Sequence, residues 1–349
     1  MGISSVASLL SDFLVSAARR RVINKRSIPV VLLLAALVAP VEESAGAAAA
    51  GESAVSFCFE NDIFAGTDTG YTNGVSLALT RKDSGLLGGI WGLTGQQAGK
   101  RFSTYELTQL TYTPKDLGRN NPDPADRPYA GVLYAGFMTQ LQQERSLQSF
   151  KVIAGVVGPL SLSETAQSTL HHVLAIGQSD GWDYQLRNEP VLNLFYEYRY
   201  KLRLASAGEK LVVELLPMGS ASLGNLSIQA GAEVQLRIGS RVGNDFGATQ
   251  LRGTGYLPVK DANRGEPLGG YLFVGGGGSL VGRDLSLDGN TFRDGPGVDK
   301  YPFVSSVSLG ATLLLNRLEA SFVYIMKSRE FPGQKTNSDY GSVKLTYSY

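Results

Sequence analysis

The chemistry open to this chain is limited first by its two histidines, His171 and His172, which stand side by side. Imidazole is the side chain whose charge ordinarily changes between about pH 5 and pH 8, so these residues are the candidates for a general base near neutral pH. Gln167 precedes His171 by four residues, and this spacing places both side chains on one face of an α-helix. His172 would point about 100° away. The spacing therefore places Gln167 where it could hold the His171 imidazole or a substrate, while a solvated loop histidine without a function is the alternative.

Covalent catalysis by a thiol or a serine is less well supported. Cys58 is the only cysteine, has no neighbouring His in sequence and lies in an alternating segment, so it is predicted to be a strand residue and not a nucleophile. Ser76, Ser163 and Ser168 lie in plausible regions, but the chain has no Gly-x-Ser-x-Gly elbow. Hydrolysis by an activated water molecule is the better fit.

Asn61 and Asp62 end the first alternating segment, and Thr72 begins the second. Taken by themselves, these residues are ordinary: Asn-Asp before a loop is common turn chemistry, and Thr is a good strand former. A role in chemistry depends on what the surrounding elements bring near them.

Those elements are predicted to be the strands of a transmembrane antiparallel β-barrel, an all-β fold. Hydrophobic residues make up 43% of the chain and charged residues only 18%, with 42 Gly, 16 Tyr and 14 Phe. Alternating segments separated by Gly, Asn, Asp and Pro recur from residue 53 to the end, which is the signature of barrel strands. About twelve strands are predicted, at 53–60, 71–80, 104–113, 129–141, 148–158, 190–201, 211–221, 226–239, 268–281, 302–315, 317–327 and 341–349.

Longer interruptions of the strand pattern are predicted to be extracellular loops. One of them, 160–189, contains a short helix at about 163–175 that Ser161 or Ser163 could cap. An even number of strands would place both termini on the periplasmic side. The other interruptions are rich in Gly, Pro, Asn and Asp and lie at 81–103, 114–128, 240–267 and 282–301.

The first 47 residues are predicted to be a signal peptide, and residues 48–349 the barrel domain. Five basic residues precede the apolar run 29–40, and a small-x-small cleavage site follows at 45–47. Without this segment the formal net charge of +1 becomes −1, because it carries five Lys or Arg and three Asp or Glu. A chain with this charge balance gives no indication of nucleic-acid binding.

Four sequence blocks resemble the lipid A deacylase (LpxR) family, and they extend through much of the predicted mature chain. Their order and joint presence are more specific than any one of them. The blocks are Phe59-Glu60-Asn61-Asp62 with Tyr71-Thr72-Asn73-Gly74; Asp126-Arg127-Pro128-Tyr129-Ala130-Gly131; Gly155-Val156-Val157-Gly158-Pro159 with Gln167 and His171; and Gly181-Trp182-Asp183-Tyr184-Gln185-Leu186-Arg187-Asn188-Glu189-Pro190.

The resemblance implies a monomeric hydrolase of the bacterial outer membrane that removes the 3-O-linked acyl chain from lipid A of lipopolysaccharide. It implies that Asn61, Asp62 and Thr72 lie in the active site, together with His171 as general base and Gln167 as its assistant. It also implies a bound Ca²⁺, for which carboxylate and amide oxygens are suitable ligands. Asp62 is then a candidate ligand, and Asn61 a candidate ligand or oxyanion donor.

Lys115 and Arg119 are the basic residues of the 114–128 loop that would suit the phosphates of lipid A. Some family members carry an acidic residue six positions beyond the histidine, where this chain has Gly177. Arg127 and Trp182 are predicted to be structural, while Gln185 and Glu189 could face the site.

Two other functions remain open. In the first, the chain is a non-catalytic barrel, either a narrow pore or a scaffold, whose polar residues fill the lumen. In the second, it is a phospholipase built on the same scaffold.

Overall fold

The computed structural model describes residues 53–66, 70–82, 89–93, 98–174, 179–208, 210–242, 246–256 and 268–349. The predicted signal peptide and residue Gly177 lie outside these ranges. Within them the chain forms thirteen strands, with the bounds β1 (Ser53–Asn61), β2 (Gly70–Lys82), β3 (Lys100–Thr113), β4 (Ala130–Gln142), β5 (Ser146–Val157), β6 (Glu189–Tyr200), β7 (Leu202–Ala207), β8 (Leu211–Gly224), β9 (Ser227–Ser240), β10 (Gly269–Asp284), β11 (Phe303–Leu315), β12 (Leu318–Lys327) and β13 (Ser338–Ser348).

The strands close into a barrel. Neighbouring strands pair antiparallel around the wall, β1 pairs with β13, and β6 pairs with β8 to complete the ring. β7 begins just after β6, beyond Lys201, and pairs with the first part of β8. Because β6 and β7 are thus one interrupted wall strand, the barrel has twelve strands, and the predicted architecture is confirmed.

The described parts of the connections contain three short α-helices: α1 (Ile90–Leu93), α2 (Ser163–Leu174) and α3 (Leu285–Asp288). α2 is the helix that the sequence predicts after the fifth strand. Among the described residues, no helix is both long enough and apolar enough to cross a membrane.

Side chains alternate between the lumen and the outside of the barrel. In β1, for example, Cys58 and Glu60 are buried in the lumen, whereas the outward-facing Phe57 is 38% exposed. The lumen holds buried ion pairs such as that of Lys151 with Glu106, whose charged atoms are 3.1 Å apart. An apolar outside around an internally paired polar lumen is the arrangement that a lipid bilayer requires.

The position of two loops differs from the prediction. Ser53 and Tyr349 exchange backbone hydrogen bonds at one end of the barrel, which is the periplasmic end if both termini lie there as predicted. Since strand direction alternates, the β2–β3 and β9–β10 connections lie at this same end. The prediction that 81–103 and 240–267 are extracellular is therefore wrong, because the strand count and not loop composition decides the side.

The second of these connections enters the barrel. Residues 246–256, here called the plug, lie in the lumen, where Phe246, Leu251 and Tyr256 are almost completely buried. Wall side chains bind the backbone of the plug. Arg199 donates to the Phe246 carbonyl at 2.9 Å, and the Glu60 carboxylate accepts the Leu251 N–H at 3.0 Å. A cavity of about 200 Å³ remains beside the plug.

The plug reaches the far end of the lumen through Arg252. Its guanidinium forms ion pairs with Asp284, the last residue of β10, and with Glu330 of the β12–β13 loop, at 2.8 and 3.3 Å. Burial raises the pKa of the Glu330 carboxyl, but Lys327, Arg127 and Arg252 surround it and hold the pKa well below its usual range. The charges of the plug and the loops thus compensate each other inside the barrel.

Candidate active site

α2 and the turn before it lie against the outer face of the wall, at the end away from the termini. Gln109, which projects outward from β3, donates its amide N–H to the Ser161 carbonyl at 2.6 Å. Gly131 of β4 makes this close approach possible, because a Cβ there would overlap the side chains of Ser161 and Ser163. The ends of β3 and β4 are therefore covered from the lipid side by the helical loop.

One face of α2 is buried in this contact. Ser163, Gln167 and His171 follow each other at intervals of four residues and are only 1%, 2% and 2% exposed, whereas His172 is exposed. Gln167 and His171 thus share a face, as their spacing predicts, and this face is turned away from solvent.

The turn after β1 carries the predicted carboxylate. β1 ends at Asn61, and a 3-10 helix follows at Asp62–Ala65. The Asn61 Oδ1 atom accepts the Ile63 N–H at 2.8 Å and caps this helix. Asp62, at the first position of the helix, is completely buried. The amide oxygen of Asn61 therefore stabilises the turn around Asp62.

Phe64 connects this turn to the lipid-facing surface. Its ring packs edge-to-face on the outward-facing rings of Phe59 and Phe322, at centroid distances of 6.0 and 5.9 Å, and remains 43% exposed. The polar turn at Asp62 consequently borders an apolar surface that faces the membrane.

A row of outward-facing positions joins Asn61 to the helix. The strand registers set Asn61 opposite Asn73, Asn73 opposite Thr111, and Thr111 opposite Gly131. The Cβ atoms of such cross-strand neighbours are about 4.5–5.5 Å apart. Because the Ser161–Ser163 turn covers Gly131, the row extends from the turn at Asp62 to the underside of the helical loop.

Thr72 lies at the same end of the wall, in a β-bulge. The register of β2 against β3 skips Thr72 between Tyr71 and Asn73, and its hydroxyl oxygen is 2.6 Å from that of Thr113 in a buried hydrogen bond. The structure therefore brings Asn61, Asp62 and Thr72 together on one rim of the wall.

Trp182 fixes the orientation of Gln167. The indole N–H of Trp182 donates to Gln167 Oε1 at 2.9 Å, and its ring packs on Tyr129 at a centroid distance of 4.9 Å. An indole N–H can only donate, so the amide oxygen must point toward it. The Nε2 atom of Gln167 is then directed elsewhere and is buried without a hydrogen-bond partner.

The two predicted phosphate-binding residues lie on the surface of the loop before β4. Lys115 and Arg119 are both exposed. The Arg119 guanidinium is 3.9 Å from the Asp123 carboxylate, in a pair that is half exposed. Neither residue is among the buried groups beneath α2, so both remain candidates for contact with the polar part of a ligand.

Arg127 and Glu189 make structural contacts. Arg127 is buried and binds Glu330 at 2.5 Å, which agrees with its predicted structural role. The Glu189 carboxylate accepts the backbone N–H groups of Thr291 and Phe292 at 2.8 and 3.2 Å. Its oxygens therefore hold the β10–β11 loop.

The oxygen donors near Asp62 suit a hard cation. In the described ranges, no three His, Cys, Asp or Glu side chains are grouped as a metal site. However, Asn73 Oδ1 and Thr111 Oγ1 are buried and have no hydrogen-bond partner. One carboxylate with several neutral oxygens is a donor set that Ca²⁺ accepts, with low affinity because few ligands are charged.

Asn73, Thr111 and Trp182 belong to this region but were not selected as functional residues from the sequence. Asn73 stands inside the Tyr-Thr-Asn-Gly motif, next to Thr72, and only the pairing of β1 with β2 shows that it lies opposite Asn61. Trp182 could have been found, since a buried indole N–H generally requires an acceptor. Thr111 has no distinguishing signal in the sequence.

A closed barrel with an apolar outer face and a polar, plugged lumen defines the protein as an outer-membrane β-barrel, and its candidate site lies outside the wall. The family model described as "Outer membrane protein LpxR" matches residues 30–349. The chain therefore belongs to the LpxR family and is located in the outer membrane.

One solved structure supports the same architecture. LpxR from Salmonella typhimurium superposes with a TM-score of 0.71 at 18% identity, over 85% of this chain and 100% of that one. The β domain of the Bordetella autotransporter BrkA gives a TM-score of 0.44 at 10% identity, over 86% of this chain and 100% of that one, which is too loose to bear on the fold. Compared by sequence with curated proteins, the chain matches none.

Proposed function

We propose that this protein is a lipid A deacylase that hydrolyses the 3-O-linked acyl ester of lipid A from the membrane side of its barrel. The observation that carries the proposal is the burial of Gln167 and His171 on the face of α2 that lies against the wall, near the rim formed by Asn61, Asp62 and Thr72. Membership of the LpxR family supports the choice of substrate.

In the proposed reaction, His171 accepts a proton from a water molecule whose oxygen attacks the ester carbonyl carbon. The bond between that carbon and the sugar oxygen then breaks, and the imidazolium returns the proton to the sugar oxygen. One water is consumed, and a free fatty acid and a sugar hydroxyl are formed. The Gln167 Nε2 donor and the Thr72 hydroxyl are proposed to hold the ester or the water.

Asp62 is the proposed carboxylate ligand of Ca²⁺, held in place by the turn that Asn61 caps. Bound Ca²⁺ would stabilise the negative charge that develops on the carbonyl oxygen. Lys115 and Arg119 are proposed to contact the phosphates of lipid A, while Phe64 and the rings beneath it contact the acyl chains.

The test is mass spectrometry of lipid A from membranes containing the wild type, His171→Ala or His172→Ala, incubated with Ca²⁺ or with chelator. We expect loss of one acyl chain with the wild type and with His172→Ala in Ca²⁺, and intact lipid A with His171→Ala. Heat-dependent migration on gels shows whether each variant is a folded barrel. Full deacylation by folded His171→Ala would refute the assignment of the base.

Phospholipase activity on the same site is the second candidate, since the apolar surface at Phe64 would also accept a phospholipid. Phospholipid analysis of the same membranes distinguishes the two. We further propose that the enzyme acts as a monomer after removal of residues 1–47; the mass of the purified mature protein tests both points.

A further inference from the structure

We propose that Asn73 supplies the amide oxygen that binds the cation beside Asp62, and that Asn61 does not. The inference rests on the proposed function only in assuming that the site takes a divalent cation.

The first step is position. Asn73 is directly opposite Asn61 in the β1–β2 register, on the outward face of the wall, and is only 5% exposed. The β1–β2 register runs without a break from Val75 to Asn73, so Asn73 lies on the outward face by the ordinary alternation along β2. Asn73 is thus held beside the turn that carries Asp62.

The second step is the state of the two amide oxygens. Asn61 Oδ1 already accepts the Ile63 N–H at 2.8 Å, whereas Asn73 Oδ1 is buried with no hydrogen-bond partner. A buried carbonyl oxygen without a partner destabilises the folded state, so such atoms usually have a donor or a cation close by. An amide oxygen carries no hydrogen and can only accept a hydrogen bond or bind a cation, so a cation satisfies it as well as a water molecule does.

The third step is the neighbouring hydroxyl. Thr111 lies opposite Asn73 in β3, is 1% exposed, and its Oγ1 also lacks a partner. Two adjacent neutral oxygens that are both buried and both unsatisfied point to one shared ligand. A hard divalent cation is the ligand class that takes neutral oxygens together with a single carboxylate.

Calcium binding by the purified, folded protein in detergent tests this directly, by isothermal titration without any lipid A. Asn73→Ala should weaken Ca²⁺ binding at least about tenfold, and Asn73→Asp should tighten it because affinity rises with the number of charged ligands. Asn61→Ser is the matched control: serine can cap the 3-10 helix, so binding should stay within about threefold of the wild type.

Wild-type Ca²⁺ affinity in Asn73→Ala, or no Ca²⁺ binding by the wild type, would overturn the inference, and the first result would show that a water fills the position. Strong loss in Asn61→Ser with no effect at Asn73 would return the amide ligand to Asn61. The lipid A assay is separate: a wild type that binds Ca²⁺ through Asn73 but leaves lipid A intact would overturn the proposed function and not this inference.

Discussion

Replacing Trp182 with Phe tests whether the orientation of Gln167 matters for catalysis. The substitution keeps an aromatic ring against Tyr129 but removes the indole N–H that binds Gln167 Oε1 at 2.9 Å. The amide is then free to turn over, so that an oxygen replaces the Nε2 donor in the site. A hydrogen bond to a charged group contributes about 1.5–3 kcal/mol, which corresponds to a loss of about 10- to 100-fold in rate if Nε2 assists the transition state.

The assay is the initial rate of acyl release from lipid A in detergent micelles, with kcat and KM determined separately. We expect kcat to fall and KM to stay nearly constant. Tyr184→Phe is the control, since Tyr184 lies in the same short 3-10 helix as Trp182 (Trp182–Tyr184) and is 52% exposed.

A double-mutant cycle separates this positioning role from a general loss of packing. If Trp182 acts through Gln167, adding Trp182→Phe to Gln167→Ala should change the rate little, because the amide to be oriented is already gone. Equal losses in the two backgrounds, or an unchanged kcat in Trp182→Phe, would refute the reasoning.

Three other perturbations test the surrounding framework. Gly131→Ala should push the helical loop off the wall and lower the rate of lipid A deacylation about tenfold or more without unfolding the barrel. Gly219→Ala is the control and should have no effect, because a Cβ at Gly219 meets open space. Equal rates in both variants would contradict this prediction. The wild type should be electrically silent in planar bilayers, and replacing the plug by a short Gly-Ser linker should produce steady conductance; a silent, folded deletion variant would show that the wall itself closes the lumen. The surrounding cations depress the pKa of Glu330, so its ion pairs stabilise the folded state fully above its unfolded pKa of about 4.3, and this stabilisation is lost as the pH falls through the folded pKa. The thermal unfolding temperature of Glu330→Gln should therefore depend less on pH below about 4 than that of the wild type. Parallel pH curves for the two proteins would refute the assignment.

The sequence predicted the barrel well because strand alternation is repeated along the whole wall. The twelve wall strands and the helix α2 follow from local patterns, and the shared face of Gln167 and His171 follows from helical spacing. Each of these inferences depends only on residues that are close together in the chain.

What the sequence did not predict depends on distant contacts. The 240–267 segment has the composition of an exposed loop, yet Leu251 and Arg252 lie inside the barrel. They bind acidic residues of the wall and loops there, namely Glu60, Asp284 and Glu330. Composition cannot reveal this, since each of these charges would also be unremarkable on a surface.

The closed lumen and the outward site are two consequences of one arrangement. A lipid substrate lies in the membrane around the barrel and not along its axis, so a site for it must be on the outer face, where polar groups are costly unless something covers them. The helical loop covers this face at Gly131, and Thr111 and Gln167 carry buried polar atoms there without a hydrogen-bond partner. The plug and its ion pairs occupy the lumen and hold the ends of β1 and β10, which fixes the rim on which Asp62 lies.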